Sequence, residues 1–343
     1  MSGDGFARAD HRRLFTFPDD HGPHPEYQTE WWYYTGNLET ADGRHFGYQL
    51  TFFRRAIAPT AAARASQWAT NQVYFAHFAL TDVKSGAHLA TERFSRGAAG
   101  LAGASGQPYR VWLEDWEVTS LSADGGRVRL RAEDAGRALD LTLAADKPPV
   151  LHGDGGLSPK TNAAGNASYY VSFTRLSTQG TLTSGGQTLT VGGLSWMDHE
   201  FGTTSLGPDA VGWDWFAAQL SDWREVMFFQ IRQRDGSIEP LSSGTLIEAD
   251  GTARHLRRED VDVQVSGRWA SRATGATYPA GWTLTIPSAD LRLTLQPYVP
   301  DQEMRVSITY WEGAVVITGQ SRGQPVSGSG FVELTGYSGA PPR

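Results

Sequence analysis

Asp198, His199 and Glu200 are adjacent in Trp196-Met197-Asp198-His199-Glu200-Phe201-Gly202, and Asp214 follows in Gly212-Trp213-Asp214-Trp215-Phe216. Tryptophans flank these ionisable groups on both sides. Large aromatics favour interiors, whereas carboxylates enter interiors only when paired or hydrogen-bonded. A carboxyl held among aromatic rings is desolvated, so its pKa rises and it keeps a proton that it can give as a general acid. Tryptophan and tyrosine faces can stabilise a cation. The set could therefore add water across an alkene, with Asp214 or Asp198 as acid and His199 or Glu200 as base. The same residues also fit a structural role: Asp198, His199 and Glu200 as a network closing a strand seam, and Asp214 as an acid paired with Arg224 or Arg232. If the segment is a strand, Asp198 and Glu200 face one side and His199 the other.

Further candidates line a substrate site: Glu30, Trp32 and Tyr34 in one aromatic run, His77 in Tyr74-Phe75-Ala76-His77-Phe78, and Trp196, Trp213, Trp215 and Tyr310. Glu30 reads more readily as a strand-edge acid satisfied by backbone, and His77 as a hydrogen-bonded core residue. His21 and His24 share a Pro/Gly-rich entry loop with Asp20 and Glu26, but their spacing matches no metal motif, so loop packing is expected and no metal. Ser195 near His199 lacks the sharp turn that exposes a serine nucleophile. There is no Gly-x-Ser-x-Gly elbow, Walker loop, HExxH or dinucleotide fingerprint, and no cofactor is expected.

The elements that must position these residues are strands. Val, Thr, Leu, Tyr and Phe alternate with polar residues over short spans, such as Phe46 to Phe53, Val73 to Thr81, Leu139 to Leu143, Val226 to Ile231 and Leu291 to Leu295. Turns such as Ala41-Asp42-Gly43 and Arg234-Asp235-Gly236 separate them. Ala56 to Ala69 is the best helix candidate and reads as a long loop with at most a helical turn. The expected fold class is all-β, as barrels and sandwiches require.

The sequence also resembles itself. Glu30 to Leu38 aligns with Gly212 to Leu220, and Phe46 to Arg55 aligns with Glu225 to Arg232. Val191-Gly192-Gly193-Leu194-Ser195-Trp196-Met197-Asp198-His199 aligns with Val326-Ser327-Gly328-Ser329-Gly330-Phe331-Val332-Glu333-Leu334. Each unit opens on an aromatic strand and closes on a Gly-aromatic-acid strand, and in a closed antiparallel barrel those two strands are neighbours. The expected division is residues 1–202 with an entry loop at 1–29, a linker at 203–211, and a second domain at 212–343.

Bulk composition narrows the partners. The chain has 343 residues with a formal net charge of -7, which gives no reason to expect nucleic acid as a partner. With no Cys, a thiolate nucleophile, disulfide or zinc-thiolate site is excluded. No run approaches the roughly 18 apolar residues of a membrane span. A periplasmic or secreted protein with its leader removed is expected ahead of a cytoplasmic one. Nothing in the residues points to an oligomeric state. The aromatic content of 11% is high enough to line cavities as well as cores, so the expected partner is a hydrophobic small molecule.

Taken together, Phe17 to Pro25, Glu30-Trp31-Trp32-Tyr33, Trp196 to Glu200, Gly212 to Phe216, Tyr310-Trp311-Glu312-Gly313-Ala314 and Glu333 to Tyr337 resemble the AttH-like / carotenoid 1,2-hydratase family, over about Phe17 to Tyr337. The resemblance implies two tandem lipocalin-like antiparallel β-barrel or sandwich domains with an apolar ligand cavity. It also implies a cofactor-free hydratase or lyase acting on a terpenoid- or polyene-like substrate. The alternatives are a non-catalytic lipocalin-type carrier and a cyclase that templates its substrate, because fungal relatives guide intramolecular cycloadditions.

Overall fold

The computed structural model describes residues 5–60, 66–203 and 206–339. Among these residues helix is confined to three single-turn 3-10 segments, Asp19–His21, Arg258–Asp260 and Pro287–Ala289, so the fold is all-β. Ile57 to Thr60 and Ser66 to Thr70 are bends, turns and irregular chain. Residues 61–65 of the expected loop, and 204–205 of the expected linker, lie outside the described residues.

The chain forms two compact units. The first takes Met1–Arg44, Gln49–Phe78 and Thr91–Ser205, and the second takes His45–Tyr48, Ala79–Ala90 and Leu206–Arg343. The first sheet runs Ala87–Arg96, Gln72–Asp82, His45–Ala56, Thr29–Glu39, Gln187–Gly202, Ala167–Ser184, Arg137–Ala145, Arg127–Asp134, Trp116–Ser120, Tyr109–Leu113, Ala102–Gly106. Its two end strands are consecutive in the chain, so the sheet curls toward closure. Arg93 on one end strand reaches Asp115 and the carbonyl of Glu133, and lies 4.4 Å over the Trp116 ring. That contact ties this end strand to the Trp116–Ser120 part of the sheet.

The second sheet repeats the plan. It runs Ala253–Arg257, Ser243–Ile247, Glu225–Gln233, Ala210–Leu220, Gln324–Leu334, Thr309–Ser321, Leu291–Pro297, Trp282–Ile286, Asp262–Val265. Its core gathers Phe216, Phe228, Trp282, Leu293, Trp311 and Ile317, among others.

In both units the opening strand pairs with the closing strand, in the same register. Trp32 lies opposite His199 and Tyr33 opposite Asp198; Asp214 lies opposite Leu334 and Trp215 opposite Glu333. These are the pairs the self-alignment requires. The seam is tight in both units: a Cβ on Gly193 would strike the carbonyl of Asn37, and one on the equivalent Gly328 the carbonyl of Gln219. Glycine is thus required there by close backbone approach.

Candidate active site: two faces of one seam

Side-chain alternation divides the closing strand Gln187–Gly202 of the first unit. Met197, His199 and Phe201 point with Trp32 and Tyr34 toward the interior, and Trp196, Asp198 and Glu200 point to the outer face.

The interior face carries a network centred on Glu30, which is completely buried. His24 Nδ1 and His199 Nε2 each lie 2.8 Å from its Oε1. The His24 amide donates to Oε2 at 2.9 Å and Arg54 Nε donates to the same oxygen at 2.8 Å. Arg54 also donates to the carbonyls of His24 and Tyr27, which ties the entry loop to the barrel. Glu30 is thus not an edge acid satisfied by backbone alone. A buried guanidinium, two imidazoles and one amide hold it. Burial alone would raise its pKa, but the hydrogen bonds from His199 and His24 outweigh it and hold the carboxyl well below the usual range. Burial likewise works against charge on His24, yet its bonds to Asp20 and Glu30 raise its pKa. For His199 burial wins over Glu30, and its pKa is lowered.

The rings stack as well. His199 lies 5.0 Å from Trp32, and His24 lies 3.6 Å from Phe201, nearly parallel. The Trp32 indole donates to the carbonyl of His21 at 2.8 Å, and the Tyr34 and Tyr109 hydroxyls are 2.6 Å apart. Ligand atoms of His24, Glu30 and His199 lie within 4.8 Å of one another, close enough to hold a metal ion. Arg54 already occupies the other Glu30 oxygen, and its charge disfavours a second cation beside it.

The outer face carries different chemistry. Asp198 accepts from Tyr170 Oη at 2.7 Å on one oxygen, and from Trp196 Nε1 at 2.6 Å and Ser172 Oγ on the other. Burial pushes its carboxyl up to about 7 against the pull of those donors, and Glu200 nearby adds to the rise. His152, from the loop after Val150–Leu151, places Nε2 2.6 Å from Ser172 Oγ. Lys160 pairs with Glu200 at 2.9 Å and lies 5.4 Å over the Tyr170 ring.

Register continues this face outward. Trp31 lies opposite Glu200, which lies opposite Tyr170; Tyr33 lies opposite Asp198, which lies opposite Ser172. The bond from Ala56 N to Gln28 O fixes the first hairpin so that Phe53 falls opposite Trp31. Phe53 stacks on Phe75 at 4.5 Å, and Phe75 on Phe94 at 5.6 Å. A row of rings thus runs from exposed Phe94 through half-buried Phe75, Phe53 and Trp31 to the buried acids. His77 is in the adjacent row. It is buried, 5.1 Å from the Phe53 ring and 3.9 Å from Glu92, and burial lowers its pKa to about 3.

The remaining candidates lie elsewhere. Asp214 is in the second unit, where Arg232 Nε and Tyr337 Oη each sit 3.0 Å from one oxygen and Gln230 Nε2 is 2.9 Å from the other. Burial raises its pKa against those partners. Trp213 bonds through its amide to Thr335, Trp215 is buried, and Tyr310 packs with Met304. Ser195 bonds Thr178 rather than His199. His21 stacks on Tyr109 and Phe173, and its carbonyl accepts from the Trp32 indole. The structure thus brings Asp198, Glu200 and Trp196 together on one face, and Glu30, His199, Trp32 and Tyr34 on the other. Sequence reasoning missed His152, Lys160, Tyr170, Ser172 and Arg54. Only Arg54 had a signal, its alignment with Arg232, since each clamps an acid on its opening strand.

Two antiparallel sheets, each joined first strand to last and each closing around its own core, define a tandem lipocalin-like protein. The chain belongs to the AttH-like family, whose profile matches residues 8–337. An AttH protein of solved structure from Nitrosomonas europaea is 33% identical, with a TM-score of 0.85 over 97% of this chain and 100% of that one. Kievitone hydratase from Nectria haematococca shares the fold at 16% identity, with a TM-score of 0.72 over 96% of this chain and 98% of that one. In sequence, the dehydratase asqC of Emericella nidulans is 24% identical over 218 residues, 60% of each chain. The chain thus matches about 60% of that relative's length.

Proposed function

We propose that this protein is a cofactor-free hydratase or dehydratase acting on a small apolar substrate with a carbon-carbon double bond, and that Asp198 is its proton donor. The observation that carries the reading is the Asp198 site: a fully buried carboxyl raised to about 7, so that an acid form persists near neutral pH, flanked by Tyr170 and Trp196. In the hydration direction Asp198 gives its proton to one alkene carbon. The tryptophan and tyrosine faces stabilise the resulting cation, water adds to the other carbon, and its surplus proton returns to a base. Glu200, beside Lys160, is the proposed base. The ring row from Phe94 to Trp31 supports an extended, planar substrate body. A hydratase and a dehydratase among the relatives support the reaction class, since the two run one reaction in opposite directions.

In this reading His199 serves the Glu30 network, and Asp214, ion-paired with Arg232 at 3.0 Å, is a structural clamp. The test is incubation with candidate apolar alkenes and alcohols in isotopically labelled water, following label in the product for wild type and Asp198→Asn. Undiminished turnover by the variant would remove Asp198 from the mechanism. One observation favours the carrier instead: both Asp198 oxygens already have protein partners. A carrier would retain an apolar ligand through purification and never label it.

A further inference from the structure

We infer that His152 and Ser172 form a proton relay behind Asp198, so that the carboxyl exchanges its proton internally rather than directly with solvent. The relay deepens the proposed role of Asp198 and, for its catalytic meaning, rests on it. Its ground is the count of donors and acceptors. Asp198, Ser172 and His152 are all buried, at 4%, 0% and 1% exposure, so none can rely on bulk water. Ser172 Oγ lies between Asp198 Oδ1 and His152 Nε2, the latter 2.6 Å away. A hydroxyl has one proton and two lone pairs.

Two arrangements satisfy all three groups. In the first, Asp198 is ionised, Ser172 donates to it, and His152 Nε2–H donates to Ser172. In the second, Asp198 is protonated and donates to Ser172, Ser172 turns its proton to a bare His152 Nε2, and the imidazole proton sits on Nδ1. Passing from the first to the second with a charged imidazole moves one proton from Nε2 to Ser172 and one from Ser172 to Asp198. The O–H of Ser172 breaks and re-forms, and no other reactant is needed. The indole of Trp196 can only donate, so on Oδ1 the acid proton has Ser172 as its acceptor. The charged and titratable groups facing this site are Glu200 from the same strand, Tyr170 from the neighbouring strand, Tyr33 from the opening strand, and Lys160 from the covering loop.

The experiment is a titration of the whole protein, labelled with nitrogen-15 in histidine, across neutral pH. The His152 signals are assigned by their loss in His152→Gln, and Asp198 is followed by its carboxyl infrared band, assigned with Asp198→Asn. The relay predicts that His152 Nε2 loses its proton as Asp198 gains one. It predicts loss of that coupling in Ser172→Ala and its persistence in Tyr170→Phe. A wild-type Nε2 whose state ignores Asp198, or coupling that survives Ser172→Ala, would overturn it, and the wild-type measurement decides if Ser172→Ala does not fold. Turnover separates the two readings. If His152→Gln is folded, the relay expects a loss of roughly 100-fold with a displaced pH profile. Coupling present with an active Asp198→Asn would remove Asp198 as the proton donor and spare the relay. Coupling absent with an inactive Asp198→Asn would do the reverse.

Discussion

Replacing Asp198 by Asn separates the proton donor from the fold. The asparagine is nearly isosteric with a protonated aspartic acid and can still accept from Ser172 and Trp196. In the wild type, burial raises the carboxyl from an ordinary 3.8 to about 7. The folded protein therefore binds more protons than the unfolded chain between those values. Stability from this group is fully present at low pH and falls as pH rises through that window. Between about pH 5 and about pH 8 the fall is about 3 kcal/mol, since each pH unit crossed inside the window costs about 1.4 kcal/mol and the first is already behind at pH 5. The asparagine does not titrate and loses nothing. Urea unfolding of both proteins at the two pH values should therefore show the variant gaining on the wild type by about 3 kcal/mol as pH rises, while its hydration activity disappears. Parallel pH dependence in the two proteins would refute the raised pKa, and with it the argument that Asp198 holds a proton near neutrality.

The other predictions test the frame around that acid. Glu30→Gln leaves Arg54 buried without its charge partner and should cost about 3–5 kcal/mol in chemical denaturation, because an orphaned buried charge is expensive; a loss below about 1 kcal/mol would show that the network does not depend on the ion pair. The lowered pKa of Glu30 means that its contribution is present above the ordinary carboxylate range and is lost as pH falls through its folded value, opposite in sign to Asp198, so Glu30→Gln should flatten the acid limb of the stability profile. Asp214→Asn should keep turnover while lowering the midpoint of thermal unfolding, and abolished turnover in a folded variant would return Asp214 to the mechanism. Gly193→Ala and Gly328→Ala should each destabilise by about 1–3 kcal/mol, because the new Cβ meets a carbonyl of the opening strand.

The fold was legible because it is written twice. Period-2 alternation fixes strands, and the self-alignment fixes which strands meet: Trp32 with His199 and Asp214 with Leu334 are one register read from two places. Face assignment followed from the same periodicity, which put Asp198 and Glu200 opposite to His199. The partners were not legible, and the reason is topological. Strand neighbours in the sheet are distant in sequence: Ser172 and Tyr170 reach Asp198 across 26 and 28 positions, and His199 reaches Glu30 across 169. No local spacing encodes such pairs. His152 is further hidden because it acts from a loop, where neither period applies.

The repeat also separates scaffold from chemistry. Where the two units agree, the residues explain closure: glycines at Gly193 and Gly328, and an arginine, Arg54 or Arg232, clamping an acid on the opening strand. Asp198 has a counterpart in Glu333, so a carboxylate at this seam position is common to both units. What the second unit lacks is the surroundings. Leu334 and Thr335 stand where the first unit has His199 and Glu200, and Phe331 stands where Trp196 supplies an indole N–H to the acid. A phenyl ring cannot donate, so the second unit cannot hold Glu333 as the first holds Asp198. That asymmetry is the physical ground for assigning the proton chemistry to the first unit.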